Sequence, residues 1–167
     1  GKDLNWFFNQ WYYGNGHPKL SFATTFEPVK KQVTVTISQN QLGQNFQFPL
    51  AIDLFENGKP TRKNVWVDAK EKNNFTFSVS KNPELVNINA DGVLLAEFTD
   101  TKTPDQYFTQ YQNSKEFLSR YNAVENAVEN VAKNPAYLKI LVAGLKDSNF
   151  RIRIKALSGL NLSKADQ

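Results

Sequence analysis

The sequence predicts an antiparallel β-sandwich of about seven strands, followed by an array of paired helices. Three observations carry this. Between Lys19 and Ala96 apolar and polar residues alternate in short runs, the period of strands with one buried face. Turn signals such as Asn57-Gly58 and Asp91-Gly92 separate the runs. Beyond Thr99 the apolar spacing changes to the three-and-four pattern of amphipathic helices.

The opening segment, Asp3 to Tyr13, predicts a short helix. Leu4, Phe7, Phe8 and Trp11 fall on one face, Asp3 stands where a cap belongs, and Gly14-Asn15-Gly16-His17-Pro18 ends it. So aromatic a face is expected to pack against something larger than the helix.

Leu20, Phe22 and Phe26 mark the first strand, and Val33, Val35 and Ile37 the second. A third run carries Phe46, Phe48, Leu50, Ile52 and Leu54. Pro49 inside it predicts a bulge or a sheet edge, because proline donates no ladder hydrogen bond. Asn57-Gly58 is a two-residue hairpin signal leading through Lys59–Asn64 into Val65-Trp66-Val67. Phe75, Phe77 and Val79 follow a predicted Asn73-Asn74 turn. Leu85–Ile88 and Val93–Ala96 complete the set.

Thr103 with Pro104 predicts a capped helix start whose apolar face holds Tyr107, Phe108 and Tyr111. Asn113 and Glu116 have capping-box spacing ahead of a helix faced by Phe117, Tyr121, Val124, Val128 and Val131. Within it, Ala123–Asn126 and Ala127–Asn130 repeat Ala-Val-Glu-Asn, too short a unit for a structural repeat. Asn134-Pro135 opens a further helix with Leu138, Leu141, Val142 and Leu145 inward. Asp147-Ser148 is expected to cap a last one faced by Phe150, Ile154 and Leu157. Such a pair is a helical hairpin of the stacking kind, and one hairpin cannot bury both of its faces alone.

With 167 residues, 40% hydrophobic and 13 phenylalanines among them, the chain supports one medium domain or two small ones. The net charge of +4 is spread from Lys2 to Lys164 without a like-charge run, so a solvated surface is expected and no nucleic-acid partner. Cysteine is absent, which excludes disulfides, thiolate metal sites and cysteine nucleophiles and fits either redox compartment. No apolar run reaches the ~18 residues of a membrane span, and the opening residues do not read as a signal peptide. Methionine is absent throughout, and the sequence reads as a piece excised from a longer protein.

The chemistry-bearing residues do not assemble into a site. His17 is the only histidine, so a multi-histidine zinc site is excluded within the chain, and no triad is expected around it. Placed before Pro18 at a helix-to-strand corner, it is expected to be structural. Asp53 and Glu56 flank a strand end, while Glu125 and Glu129 lie one helical turn apart and read as a solvated stripe. Gly14-Asn15-Gly16 lacks the Lys-Ser or Lys-Thr of a phosphate loop and opens a strand where a phosphate site needs a helix. Arg151, Arg153 and Lys155 form a basic triplet with no interleaved aromatics, expected to face solvent. No catalytic, cofactor-binding or metal residue is assigned.

The stretch from Trp11 to Phe22, with the preceding Leu4–Gln10, resembles the junction of aminopeptidase N-like zinc peptidases. There a Trp-bearing helix ends the catalytic domain and a Gly-aromatic-Pro element enters a β-sandwich; here His17 stands between Gly16 and Pro18. Val33–Gln39 with Phe48–Ile52 is similar to the family's paired sandwich strands. Arg151–Leu157 is similar to the HEAT-like helices of its C-terminal domain.

The resemblance implies three parts: residues 1–16 as the terminal helix of a catalytic domain, 17–101 as the sandwich, and 102–167 as the start of a HEAT-like helical domain. It also implies a parent that removes N-terminal residues from peptides. The parent's zinc would sit on a His-Glu-x-x-His helix and a downstream Glu, with a Gly-x-Met-Glu-Asn loop holding the substrate. None of these motifs is in this sequence, so the chain is expected to hold no cofactor and zinc is expected only in the parent. The expected partners are the rest of the parent chain, or a second copy meeting it through Leu4, Phe7, Phe8 and Trp11. A stand-alone module binding protein or glycan, or a relative that lost catalysis, would share these features.

Overall fold

The structure, a computed structural model, describes residues 3–99 and 102–160. Its elements are α1 (Asn5–Trp11), β1 (Lys19–Glu27), β2 (Gln32–Gln39), β3 (Phe48–Glu56), β4 (Lys59–Val67), β5 (Lys72–Ser78), β6 (Leu85–Ile88) and β7 (Glu97–Thr99). The helices α2 (Pro104–Asn113), α3 (Phe117–Asn130), α4 (Leu138–Gly144) and α5 (Phe150–Gly159) follow, with a 3₁₀ turn at Pro135–Tyr137 ahead of α4. Two open sheets, ordered β5-β2-β1-β7 and β4-β3-β6, agree with the β-sandwich-plus-helices expectation. The ladders differ in one respect: β7 pairs parallel to β1, so the strands are not all antiparallel.

The chain divides into two compact units. The first comprises residues 1–50, 64–82 and 93–100; the second comprises 51–63, 83–92 and 101–167.

In the first unit, β2 follows its alternation closely, burying Val33, Val35, Ile37 and Gln39 and leaving the intervening residues half-exposed. It lies between β1 and β5, with Phe22 opposite Ile37 and Val35 opposite Phe75. Gln39 is tolerated inside because its side chain closes a loop: Oε1 accepts Phe46 N at 2.8 Å and Nε2 donates to Phe46 O at 2.7 Å.

Two expectations fail here. Asn73 and Asn74 lie inside β5. The turn precedes them and is stitched by buried Asn73, whose Oδ1 accepts Asp68 N and whose Nδ2 donates to Asp68 O. The apolar run Val93–Ala96 is not a strand either. The ladder begins only at Glu97, leaving Val93 and Leu95 exposed.

In the second unit, β3 is the middle strand of its sheet and is buried on both faces from Leu50 to Phe55. Pro49 therefore marks no edge strand. It is the exposed second residue of β3, outside the Ile52–Phe55 stretch that pairs with β6. One edge strand is β4, whose Lys59, Pro60, Arg62 and Lys63 discourage further strand pairing. The β3–β4 connection is the two-residue turn expected, with Asn57 at φ 55° and Gly58 at φ 70°, the left-handed backbone a type I′ hairpin needs.

Thr103 caps α2 in a full capping box with Gln106. Asn113 does not open α3; it ends α2, its Nδ2 donating to Thr109 O, and α3 starts at Phe117 without a side-chain cap. Nor do Asp147 and Ser148 cap α5: Asn149 does, accepting Arg151 N at 2.9 Å.

The helical core is Tyr107, Tyr111, Ala123, Val124, Ala127, Tyr137, Ile140, Leu141, Ile152 and Ala156. Its α3 share centres on Ala123 and Ala127, the small residues of the short repeat, with Phe117, Tyr121, Val128 and Val131 partly buried around them. On α5 the expected face is the wrong one. Ile152 and Ala156 are buried while Phe150, Ile154 and Leu157 are exposed, and on α4 Leu138 and Val142 are exposed too. Both helices have two apolar sides. The side with small residues is inward because it permits the closer approach.

Gly144 shows how close. A Cβ there would lie 2.9 Å from Ala156 Cβ and 3.2 Å from a Val124 methyl. Gly144→Ala should therefore destabilise the chain by about 1–3 kcal/mol despite alanine's better helix propensity. The pair Gly144→Ala with Ala156→Gly should lose less than the sum of the two single losses, as read by urea denaturation of all three variants.

Candidate functional site

The face of α1 is the surface that distinguishes this chain from an ordinary folded unit. Asp3 accepts Asn5 N at 2.9 Å, and the helix then runs without a buried residue. It is held to the first unit by Trp6, Gln10 and Trp11. Trp6 meets Trp66 edge to face at 5.1 Å, and Trp11 packs on Phe46 at 5.3 Å. Gln10 reads one backbone residue twice, accepting Gln47 N at 2.8 Å and donating to Gln47 O at 2.9 Å.

Sequence reasoning placed Leu4, Phe7, Phe8 and Trp11 together on the packing face. Only Trp11 is half-buried; Leu4, Phe7 and Phe8 are exposed at 53%, 43% and 47%, and Tyr12 and Tyr13 extend the exposed apolar surface. The anchoring stripe was missed because Gln10 interrupts its apolar pattern.

The titratable residues are drawn into structural pairs. His17 Nε2 lies 2.6 Å from Glu97 Oε1, and Lys19 Nζ lies 3.1 Å from the other carboxylate oxygen, so the start of β1 is fastened to β7. His17 and then Lys19, as hydrogen-bond partners, hold the Glu97 carboxyl below its ordinary range. Asp53 is not paired with Glu56. It receives Arg62 through two bonds of 2.8 and 2.9 Å between β3 and β4.

Glu129 is exposed, and Glu125, half-exposed, also takes Lys155 Nζ at 2.7 Å, joining α3 to α5. That bond raises the Lys155 ammonium above its usual range. Arg153 donates to the carbonyls of Asp147 and Ser148, so two of the three basic residues on α5 are spent within the fold. Arg151 stays exposed beside Phe150. A cleft of about 330 Å³ in the second unit is lined by Asp53, Arg62, Ser114, Lys115 and Glu116 among others, and its Ser114 hydroxyl is met by the Ser119 hydroxyl at 2.8 Å. Among the described residues no group of three or more His, Asp or Glu is placed to hold a metal ion. No helix among them is long and apolar enough to cross a membrane.

One polar cluster was not foreseen. Asp147, buried between the helices, accepts Arg120 Nε at 3.0 Å, Asn149 N at 2.8 Å and the Tyr111 hydroxyl at 3.1 Å. Burial works to raise its carboxyl, yet Asn149, Arg120 and Tyr111 outweigh it and hold the group below the ordinary range. Burial first, then the contact with Asp147, pushes the Tyr111 phenol up to about 12. Arg120 and Tyr111 lie 27 and 36 residues from Asp147 in the sequence, so no local signal announces their meeting.

Solved structures supply the comparison. The crystal structure of Legionella pneumophila aminopeptidase A in complex with aspartic acid matches with a TM-score of 0.74 at 18% identity, over 94% of this chain. The match spans 20% of that aminopeptidase chain. At this identity the likeness is one of fold: nearly the whole chain is built like one part of an aminopeptidase. No protein-family model and no curated protein matches the sequence.

The Asp147 cluster has a pH signature of known sign. A depressed carboxyl stabilises the fold above its unfolded pKa, about 3.9, and that contribution is lost as the pH falls through the folded value. A raised phenol stabilises below its unfolded pKa, about 10, and its share is lost as the pH climbs towards 12. Asp147→Asn should cost about 1–3 kcal/mol near neutrality and flatten the acid limb of stability against pH. Tyr111→Phe should flatten the alkaline limb, both read from urea midpoints across pH.

Proposed function

We propose that this chain is a non-catalytic part of a zinc-dependent aminopeptidase that removes N-terminal residues from peptides. The observation that carries the reading is the fold likeness to an aminopeptidase over 94% of the chain, together with the junction-like sequence from Trp11 to Phe22. In this reading, residues 1–16 end the catalytic domain, 17–101 form the bracing sandwich and 102–167 begin a HEAT-like helical domain. The exposed side of α1 docks on the catalytic domain, and the exposed side of α4 and α5 meets further helices. Zinc and the substrate-binding loop belong to the catalytic domain, because one histidine and no methionine leave this chain without the motifs for either. The role is mechanical: a stiff spacer sets how the helical domain limits access to the catalytic site.

The decisive assay compares hydrolysis of aminoacyl-arylamides by this chain, with zinc added, and by the full-length gene product. Activity in the full-length protein and none in the chain is the expected result. Inactivity in both would favour a stand-alone protein- or glycan-binding scaffold, and activity in the chain alone would overturn the reading.

With its docking side uncovered, the isolated chain should also self-associate through Leu4, Phe7 and Phe8, while Trp11 stays packed on Phe46. Sedimentation velocity should show concentration-dependent dimers that Phe7→Ser with Phe8→Ser abolishes. A strictly monomeric chain at all concentrations removes this interface from the proposal.

A further inference from the structure

Two Asn-Gly dipeptides occur in the sequence, Asn15-Gly16 and Asn57-Gly58. In each, the missing Cβ of glycine leaves the backbone nitrogen free to approach the asparagine side chain. The reaction this permits is intramolecular. The glycine nitrogen attacks asparagine Cγ, the bond from Cγ to the side-chain amide nitrogen breaks, and ammonia leaves with the proton the glycine nitrogen gives up. Water then opens the five-membered succinimide at either carbonyl, leaving aspartate or isoaspartate. The balance is one water consumed and one ammonia released, and no oxidant or cofactor is needed.

The attacking nitrogen must lose its proton, so whatever holds that proton sets the rate. At Asn57 the fold holds it firmly. Gly58 N donates to Glu84 Oε2 at 2.9 Å and Asn57 N donates to Glu84 Oε1 at 3.0 Å, so one carboxylate spans both amides of the turn. Glu84 is itself fixed, its backbone nitrogen donating to Phe55 O at 2.9 Å. A negative charge at hydrogen-bond distance makes a deprotonated Gly58 nitrogen costly, and the bridged turn resists the rotation that ring closure requires.

At Asn15 none of this is present. Both residues are exposed in the connection between α1 and β1, Gly16 has φ 85° with open space around it, and its nitrogen has no hydrogen-bond partner among the described residues.

We propose that Asn15 is a site of spontaneous deamidation in the native protein, and that Asn57, which begins the same Asn-Gly dipeptide, is kept intact by the Glu84 carboxylate. Conversion at Asn15 places a new negative charge two residues from His17. As isoaspartate it also adds a backbone carbon to the connection that carries α1.

The test incubates the 167-residue chain at mildly alkaline pH and reads each site by peptide mass and isoaspartate content, native and in concentrated urea. In the native chain Asn15 should convert at least about tenfold faster than Asn57, the factor equivalent to ~1.4 kcal/mol and within the range of a charge-assisted hydrogen bond. In urea the two sites should convert at comparable rates. Glu84→Gln, which removes the charge and keeps the shape, should bring Asn57 towards the Asn15 rate in the native chain and change nothing in urea. Equal native rates at the two sites would overturn the proposal, as would a Glu84→Gln chain whose Asn57 is as slow as before.

Discussion

Strand β3 is the constraint on which the second unit and its hairpin depend. A strand buried on both faces has no water to satisfy its polar groups, so each polar residue on it must bring its own partner. Asp53 is the one carboxylate in its interior, and Arg62 meets it with two parallel bonds from the neighbouring strand. That pair fixes β4 against β3, and the Asn57-Gly58 turn and the Glu84 bridge close the end of the same hairpin. Opposite Asp53 in the ladder stands Asn87, also buried, which reaches Ser119 of α3 and Lys102. The middle strand thus exports its polar demand outward to the edge strand on one side and to the helices on the other.

The helical core is governed by approach distance. Gly144, Ala156, Ala123 and Ala127 let backbones come near enough for Leu141, Ile140 and Ile152 to be fully covered. Dense packing there is joined by the buried Asp147, which ties α2 and α3 to the turn before α5. Both devices act across the helices, and both leave the outer apolar sides of α4 and α5 without cover among the described residues.

Much of the architecture was legible locally. Period-two alternation marked β1, β2 and β3. Asn57-Gly58 marked the hairpin, and Thr103-Pro104 marked the start of α2, because each of these is decided within a few residues. The failures share a cause. Asn73 read as a turn residue, yet its side chain serves a turn that precedes it. Val93–Ala96 read as a strand, since an apolar run says nothing about whether a ladder partner is in reach. On α5 two apolar sides competed and the bulkier one was chosen, whereas on α1 the polar Gln10 hid the side that anchors the helix.

By itself the sequence determined the element types, the hairpin turn, the absence of a self-sufficient histidine or cysteine site and the change from strands to helices near Thr99. These follow from backbone preference, periodicity and residue chemistry, all of which are local. Only the tertiary structure decided which helix faces are inward, that β7 runs parallel to β1, that Glu125 belongs to Lys155 and that Asp147 belongs to Arg120 and Tyr111. Those outcomes depend on which surfaces can approach most closely, and on polar partners 27 to 36 residues apart in the chain, a separation no local pattern encodes.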